Sequence, residues 1–435
     1  MMSQRARLFV GLIYIVISAG LNAIVGAPSY AQTSGLAKTE SGLVALIGAT
    51  ILVGPDLEPL QNGTILIDGG RIASIGRADE VVVPNTAERL NLAGHTVLPG
   101  LIDMHVHLGA PGTRTSLSDW PLHVLEVHRY APLARQALLA HGVTSVRSLG
   151  DGHEWITQMR RMIADHELEG PRIFAAGPVF TTRSGHPIAT HGVDPDGDVV
   201  RLPASPEEAR EIVRNLAQGE AAVDLIKVIQ ERGGPRLALD PLPADILQAI
   251  VSEAHAHGLR VVAHCGTADD MRDVIAASVD GIEHLERRAV REGWPADVLK
   301  ALIAADISLN PTLTVTSVAL PDSEHAILRG RLLEYVEQGG RIVAGSDAGM
   351  PQVAFGESLH RKLELLVASG ISPLGALRAA TSDAAYALGN AEIGAIETGR
   401  IADLLVVLGE PHSDILAIRN VRYVYLDGRV VHVAL

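Results

Sequence analysis

From Leu101 onward the chain alternates short apolar runs with amphipathic segments of helical length, and it does so eight times. The runs are Leu101–His107, Val143–Ser148, Arg172–Ala176, Asp224–Ile229, Arg260–His264, Gly281–His284, Ile307–Pro311 and Arg341–Ser346. Strands separated by helices pair in parallel, because a parallel return needs a long crossover. Eight such units predict an α/β fold, a (β/α)8 TIM-like barrel over residues 98–390, with its chemistry at the C-terminal ends of the strands. A doubly wound open sheet would alternate similarly. The strand count and the lack of Gly-x-Gly-x-x-Gly after the first strand favour the barrel. Ser205-Pro-Glu-Glu208 predicts a helix start, with serine as cap and proline at the first helical position.

The flanks have a different texture. Residues 43–97 read as short strands, Leu43–Leu52, Gly63–Asp68, Arg71–Gly76 and Glu88–Leu92, with Asp68-Gly-Gly-Arg71 as a hairpin turn. Residues 391–435 repeat the pattern, with strands Ala402–Val407, Val421–Leu426 and Arg429–Val433 and a turn at Asp427-Gly428. Neither piece is large enough to be stable easily alone. The simplest arrangement puts both chain ends into one small β-sandwich domain beside the barrel.

Arg5 and Arg7 precede an apolar run from Leu8 to about Ala27, followed by Pro28-Ser-Tyr-Ala31. That is the form of a secretory signal peptide over residues 1–31, cleaved after Ala31 and followed by a polar linker, 32–42. The expected location is periplasmic or secreted, with no membrane contact after cleavage. An uncleaved N-terminal membrane anchor is the alternative, since the apolar run is long for a signal. The net charge of −14 argues against nucleic acid as a partner, because phosphate binding needs a basic face. Oligomeric state is left open, a homo-oligomer included. A single cysteine, Cys265, excludes an internal disulfide and directs any metal site to nitrogen and oxygen ligands. Cys265 itself reads as a small core residue.

Candidate chemistry collects at the strand ends. Asp103, His105 and His107 alternate along the first strand, so they share a face, and two imidazoles on one rigid face suit a metal ion. A lone His-x-His is weak in a chain with 18 histidines. Lys227 sits in an otherwise apolar strand, where its charge must be paired, removed or modified. His264 and His284 close successive strands, which packing alone explains poorly. Asp347 follows an apolar strand in Gly345-Ser-Asp-Ala-Gly349. Alone it would be a turn residue, but beside four imidazoles it becomes a candidate ligand and proton carrier.

Taken in order, Pro-Gly-Leu-Ile-Asp-Met-His-Val-His107, Asp-Leu-Ile-Lys227, Val-Ala-His264, Ile-Glu-His284 and Gly-Ser-Asp347 resemble the amidohydrolase superfamily of metal-dependent hydrolases. The run from Leu374 to Ala-Ala-Thr381 and on to Gly-Arg-Ile-Ala-Asp403 is similar too. The likeness covers residues 43–435 and is nearest to the prolidase-like and imidazolonepropionase-like branches, with ochratoxin-degrading amidases also similar. It implies two divalent metal ions, zinc by default. His105, His107 and Asp347 would hold one and His264 and His284 the other. A CO2-derived carbamate on Lys227 and a hydroxide would bridge them. It further implies a small-molecule amide or peptide substrate, a dipeptide or N-acyl amino acid, with hydroxide attacking the carbonyl and Asp347 carrying the proton to the leaving amine. Asp103 is expected to orient a ligand rather than be one. An esterase, lactonase or deaminase on the same centre is the alternative. A non-catalytic barrel scaffold is disfavoured, because every expected ligand is present.

Two loops depart from the family pattern. Gly177 to His191 carries proline after His186, and Gln230-Glu-Arg-Gly-Gly234 is one residue longer than usual. Both fall where substrate would sit. His186 is a candidate substrate contact, with a plain loop histidine as the competing reading. Arg183 and Arg232 could pair a substrate carboxylate, but the favoured reading of each is a surface charge.

Overall fold

The computed structural model describes residues 42–109 and 132–434. The chain divides into a leading unit, Met1–Gly42, and a compact unit, Leu43–Leu435. The expected signal peptide, and the linker up to residue 41, lie outside the described residues.

Both ends of the compact unit meet in one mixed sheet of eight strands. Val44–Val53, Glu58–Asp68, Arg71–Arg77, Glu88–Asn91 and His95–Pro99 come from the N-terminal side. Leu404–Leu408, Val421–Leu426 and Arg429–Val433 come from the C-terminal side. The seam pairs His95–Pro99 antiparallel with Leu404–Leu408, Leu405 opposite Leu98. Both hairpin turns form where glycine signalled them. Gly69 and Gly70 lie at φ +55° and +84°, and Asp427 and Gly428 at +50° and +72°, the left-handed pair that a two-residue turn requires. The two turns also touch: a Cβ on Gly70 would lie 2.9 Å from the Asp427 carbonyl oxygen.

Between these ends run the parallel strands. Leu101–Val106, Val143–Ser148 and Arg172–Ala175 form one sheet. Leu225–Gln230, Arg260–Cys265, Gly281–Glu283 and Ser308–Asn310 pair in that order in another. The first sheet meets the second through Asp224, whose N–H donates to the Ala175 carbonyl at 2.8 Å and whose carboxylate accepts from Ala175 N–H. The eighth expected strand, Arg341–Ser346, is not a continuous strand. It bonds to Leu309 on one side (Val343 N–H to Leu309 O, 3.0 Å) and to Met104 on the other (Met104 N–H to Ala344 O, 3.0 Å). The ladder breaks because the Ala379 and Ala380 carbonyls, at the end of the helix Pro373–Ala379, take the N–H groups of Ala344 and Ile102. Two short strands not expected from sequence, Val179–Phe180 and Val200–Arg201, extend the Leu225–Gln230 edge from the 177–201 loop.

Helices pack outside the parallel strands on one continuous apolar core. The helix Pro206–Leu216 begins as expected: Ser205 Oγ accepts from Glu208 N–H at 3.2 Å, with Pro206 at the first position.

Candidate metal centre

The first strand ends at Val106, and the segment after Ala344 bonds to it through Asp347 N–H to His105 O and His107 N–H to Ala348 O, both 2.8 Å. This pairing brings His105, His107 and Asp347 together. One ligand atom from each lies within 4.8 Å of the others. Asp347 Oδ1 sits 3.5 Å from His105 Nε2 and 3.3 Å from His107 Nε2, yet among the described residues this buried oxygen has no hydrogen bond of good geometry. A buried carboxylate oxygen without a partner is costly, and a cation between these three atoms would satisfy it.

Hydrogen bonds fix which ring nitrogen faces inward. His105 Nδ1 is 2.8 Å from Glu283 Oε2, leaving Nε2 toward Asp347. His264 Nε2 is 3.1 Å from Glu231 Oε2, and His284 Nδ1 is 2.8 Å from Thr312 Oγ1, so in each ring the opposite nitrogen is spare. The rings form a chain, with His107 to His105 at 5.2 Å between centroids, His105 to His284 at 5.0 Å and His284 to His264 at 4.6 Å. Lys227 lines the same cavity, its Nζ buried and without a hydrogen-bond partner among the described residues.

The electrostatics suit metal binding. Burial pushes the His105 imidazole down to about 4, so it is neutral near pH 7, with a lone pair for a metal. Burial and the nearby His264 take His284 well below its ordinary value. Against burial, His105 and His107 hold the Asp347 carboxyl far below the usual carboxylate range, so it stays ionised. Burial lowers the Lys227 ammonium to about 8, which puts far more of it in the neutral amine form near pH 7 than an ordinary lysine has. A neutral amine is the form that reacts with CO2.

Several parts of this site were not anticipated. Glu283 accepts from Asn310 Nδ2 at 2.8 Å and from Arg147, which also donates to Met104 O at 2.8 Å. Arg147 and Glu283 each lie in apolar strands, and opposite charges at such positions were the available signal. Their partnership was hidden, because sequence does not say which strands face each other. Alternation places Glu283 away from His284, but His284 lies at φ +69°, which breaks the period and lets both residues approach His105. Asp347 at +64° and Thr312 at +37° are likewise left-handed, an unfavourable state for non-glycine residues that collects at functional sites. Asp151 accepts from Leu108 N–H at 3.0 Å and Gly109 N–H at 2.9 Å, fixing the turn after His107. Asp103 lies outside the three-residue cluster. It accepts from Ser346 N–H at 2.8 Å and Ser346 Oγ at 2.6 Å, holding the turn that carries Asp347.

His186 stacks on His264 at 4.7 Å and lines the cavity. Arg183 pairs with Asp196 at 3.2 Å on the surface, while Arg232 bridges Asp270 and Asp273, each at 2.5 Å. Cys265 is fully buried in the core.

The amidohydrolase family model matches residues 96–431, and the chain belongs to that family, whose members are hydrolases of carbon–nitrogen bonds and in general depend on metal ions. Among curated relatives, an ochratoxinase of Aspergillus niger is 25% identical over 456 residues, covering 91% of this chain and 88% of its own. An imidazolonepropionase of Deinococcus radiodurans is 26% identical over 407 residues, 86% of this chain and 93% of its own. The crystal structure of a Xaa-Pro dipeptidase with methionine in its active site superposes with a TM-score of 0.75 at 25% identity, over 90% of this chain and all of that one. The resemblance drawn from sequence motifs is thereby borne out, and the fold is that of amidohydrolases within the TIM-barrel superfamily.

Proposed function

We propose that this chain hydrolyses a small amide with two divalent ions, on a closed (β/α)8 barrel flanked by a β-sandwich that both chain ends share, and that it acts outside the cytoplasm after loss of its leader. The observation that carries the reading is the pair of orphaned buried atoms, Asp347 Oδ1 and Lys227 Nζ, inside one ring of imidazoles. His105, His107 and Asp347 would hold one ion, and His264 and His284 the other, with Lys227 as its carbamate between them. Zinc suits this nitrogen and oxygen donor set. When bound, such ions bring water toward neutral pKa and polarise a carbonyl oxygen.

The chain's own groups supply the rest. Asp347 stays ionised because imidazoles surround it, so its carboxylate accepts a proton from the attacking water and passes it to the leaving nitrogen. Glu283, Glu231 and Thr312 hold their imidazoles in one orientation, which keeps the centre preorganised. The names of the dipeptidase and ochratoxinase relatives support an amide over an ester or lactone.

The test is metal analysis of the chain after loading with zinc and bicarbonate, with Lys227→Ala alongside. About two ions per chain are expected, and less than about one would overturn the reading. Lys227→Ala is expected to lose second-ion binding and about 100-fold or more in rate. Full metal content and rate in that variant would remove the carbamate from the mechanism.

A further inference from the structure

Resting on the amidase reading above, we infer that the substrate is an uncharged amide with a bulky apolar group, and that this site does not select the free carboxylate of a dipeptide or N-acyl amino acid. Among the described residues, the open cavity over the histidines has a volume of about 1030 Å³, room for a group well beyond a single amino acid. Away from the metal-facing residues its wall is largely apolar, with Leu108, Trp155, Val179, Ile229, Met350 and Phe355 among the lining side chains. Burying apolar surface there is favourable, at about 25 cal/mol per Å², whereas a carboxylate moved against the same wall loses its hydration.

Among the described residues, arginines on the loops that flank the cavity lining are paired with carboxylates. Arg183 pairs with Asp196 at 3.2 Å and Arg201 with Asp198 at 3.1 Å, both on the loop that supplies His186 and His191 to the cavity. Arg288 pairs with Glu231 at 2.5 Å, and Arg232 is held between Asp270 and Asp273. His186, on the same wall, stacks on His264 at 4.7 Å, with its Nδ1 2.7 Å from Thr190 Oγ1. Among the described residues that line the cavity, Lys227 is the remaining ammonium, and in the proposed mechanism it carries an anionic carbamate. Among the described lining residues, a substrate carboxylate would therefore meet apolar side chains and Asp151 rather than a free cation. The reaction is a hydrolysis. The C–N bond breaks, the oxygen of water bonds to the carbonyl carbon, and a proton goes to the departing nitrogen, giving a carboxylic acid and an apolar amine.

The test compares two anilides of equal size on the full chain loaded with zinc and bicarbonate: hexanoyl 4-aminobenzamide and hexanoyl 4-aminobenzoate, in which a neutral carboxamide replaces the carboxylate. The neutral anilide is expected to have the higher kcat/KM by about tenfold or more, mostly through KM. Trp155→Ala is expected to raise KM for the neutral anilide with kcat little changed. Val193→Arg, which adds an unpaired cation to the wall, is expected to shift preference toward the aminobenzoate. Equal or faster cleavage of the aminobenzoate by the unaltered chain would overturn the substrate class and leave the amidase reading intact. If a loaded chain cleaves neither anilide nor any dipeptide, the amidase reading itself fails and takes this inference with it.

Discussion

Lys227 and Lys362 are both buried with amines that make no hydrogen bond among the described residues, yet they stand in different relations to the site. Lys227 faces the cavity, where reaction with CO2 would turn its cost into a ligand. Lys362 lies on the helix Glu357–Ala368, and burial lowers it to about 7 although Asp103, Glu283 and Asp347 pull the other way. Because the folded amine releases its proton earlier than the unfolded one, the unfolded chain binds more protons between pH 7 and 10.5. Stability therefore rises with pH across that window and is flat below it with respect to this group. Lys362→Met is expected to raise stability at pH 7 by about 2 kcal/mol and to make the rise toward pH 10 shallower. Urea unfolding at pH 7 and pH 9.5 reads both effects. An unchanged pH dependence would show that Lys362 keeps its ordinary proton affinity in the folded state. Sequence pointed to Lys227 because it interrupts an apolar strand. Lys362, among polar neighbours in Leu359-His-Arg-Lys-Leu-Glu364, carried no such mark.

Elements begin and end where local chemistry is strongest, and there sequence and structure agree most closely. Ser205 caps its helix through Glu208 N–H, and Thr267 forms a full capping box with Asp270. Ser205→Ala is expected to cost about 1 kcal/mol and leave kcat and KM unaltered, since the cap lies on the outer helix layer. A cost near zero in thermal unfolding would mean that Glu208, whose carboxylate accepts from Ala204 N–H at 2.8 Å, holds the helix start alone. Agreement fails at the eighth strand. Arg341–Ser346 has strand composition, but two carbonyls at the end of a later helix intercept N–H groups that a ladder would use. Composition reports what a segment favours, and such competition depends on neighbours distant in the chain.

At the scale of the whole molecule, the terminal sheet is tied to the parallel strands by Arg172, at the start of the third parallel strand. It pairs with Asp403 at 3.3 Å and Asp427 at 2.8 Å, both on the C-terminal arm. Burial raises the Asp403 carboxyl to about 6 even with this partner. Arg172→Met would leave Asp403 buried beside the like charge of Asp427. The expected loss is about 2 kcal/mol at pH 8, where Asp403 must be ionised, and less at pH 5, where it takes up a proton. Equal losses at the two pH values in denaturant unfolding would show that Arg172 acts through packing rather than charge.

Sequence by itself determined the alternation of strand and helix, the two hairpin turns, the helix start at Ser205 and the choice of His105, His107, Lys227, His264, His284 and Asp347 as candidate site residues, on or just after the apolar runs. These features are local, set by side-chain period, by the conformational freedom of glycine and by residue type at a strand terminus. Only the tertiary structure decided that Glu283 meets Arg147 and His105, that Glu231 turns His264, that His186 stacks over the centre, and that among the described residues the cavity wall is largely apolar. Those facts join residues far apart in the chain, and a sequence ranks each residue's chemistry without stating what lies across the cavity from it.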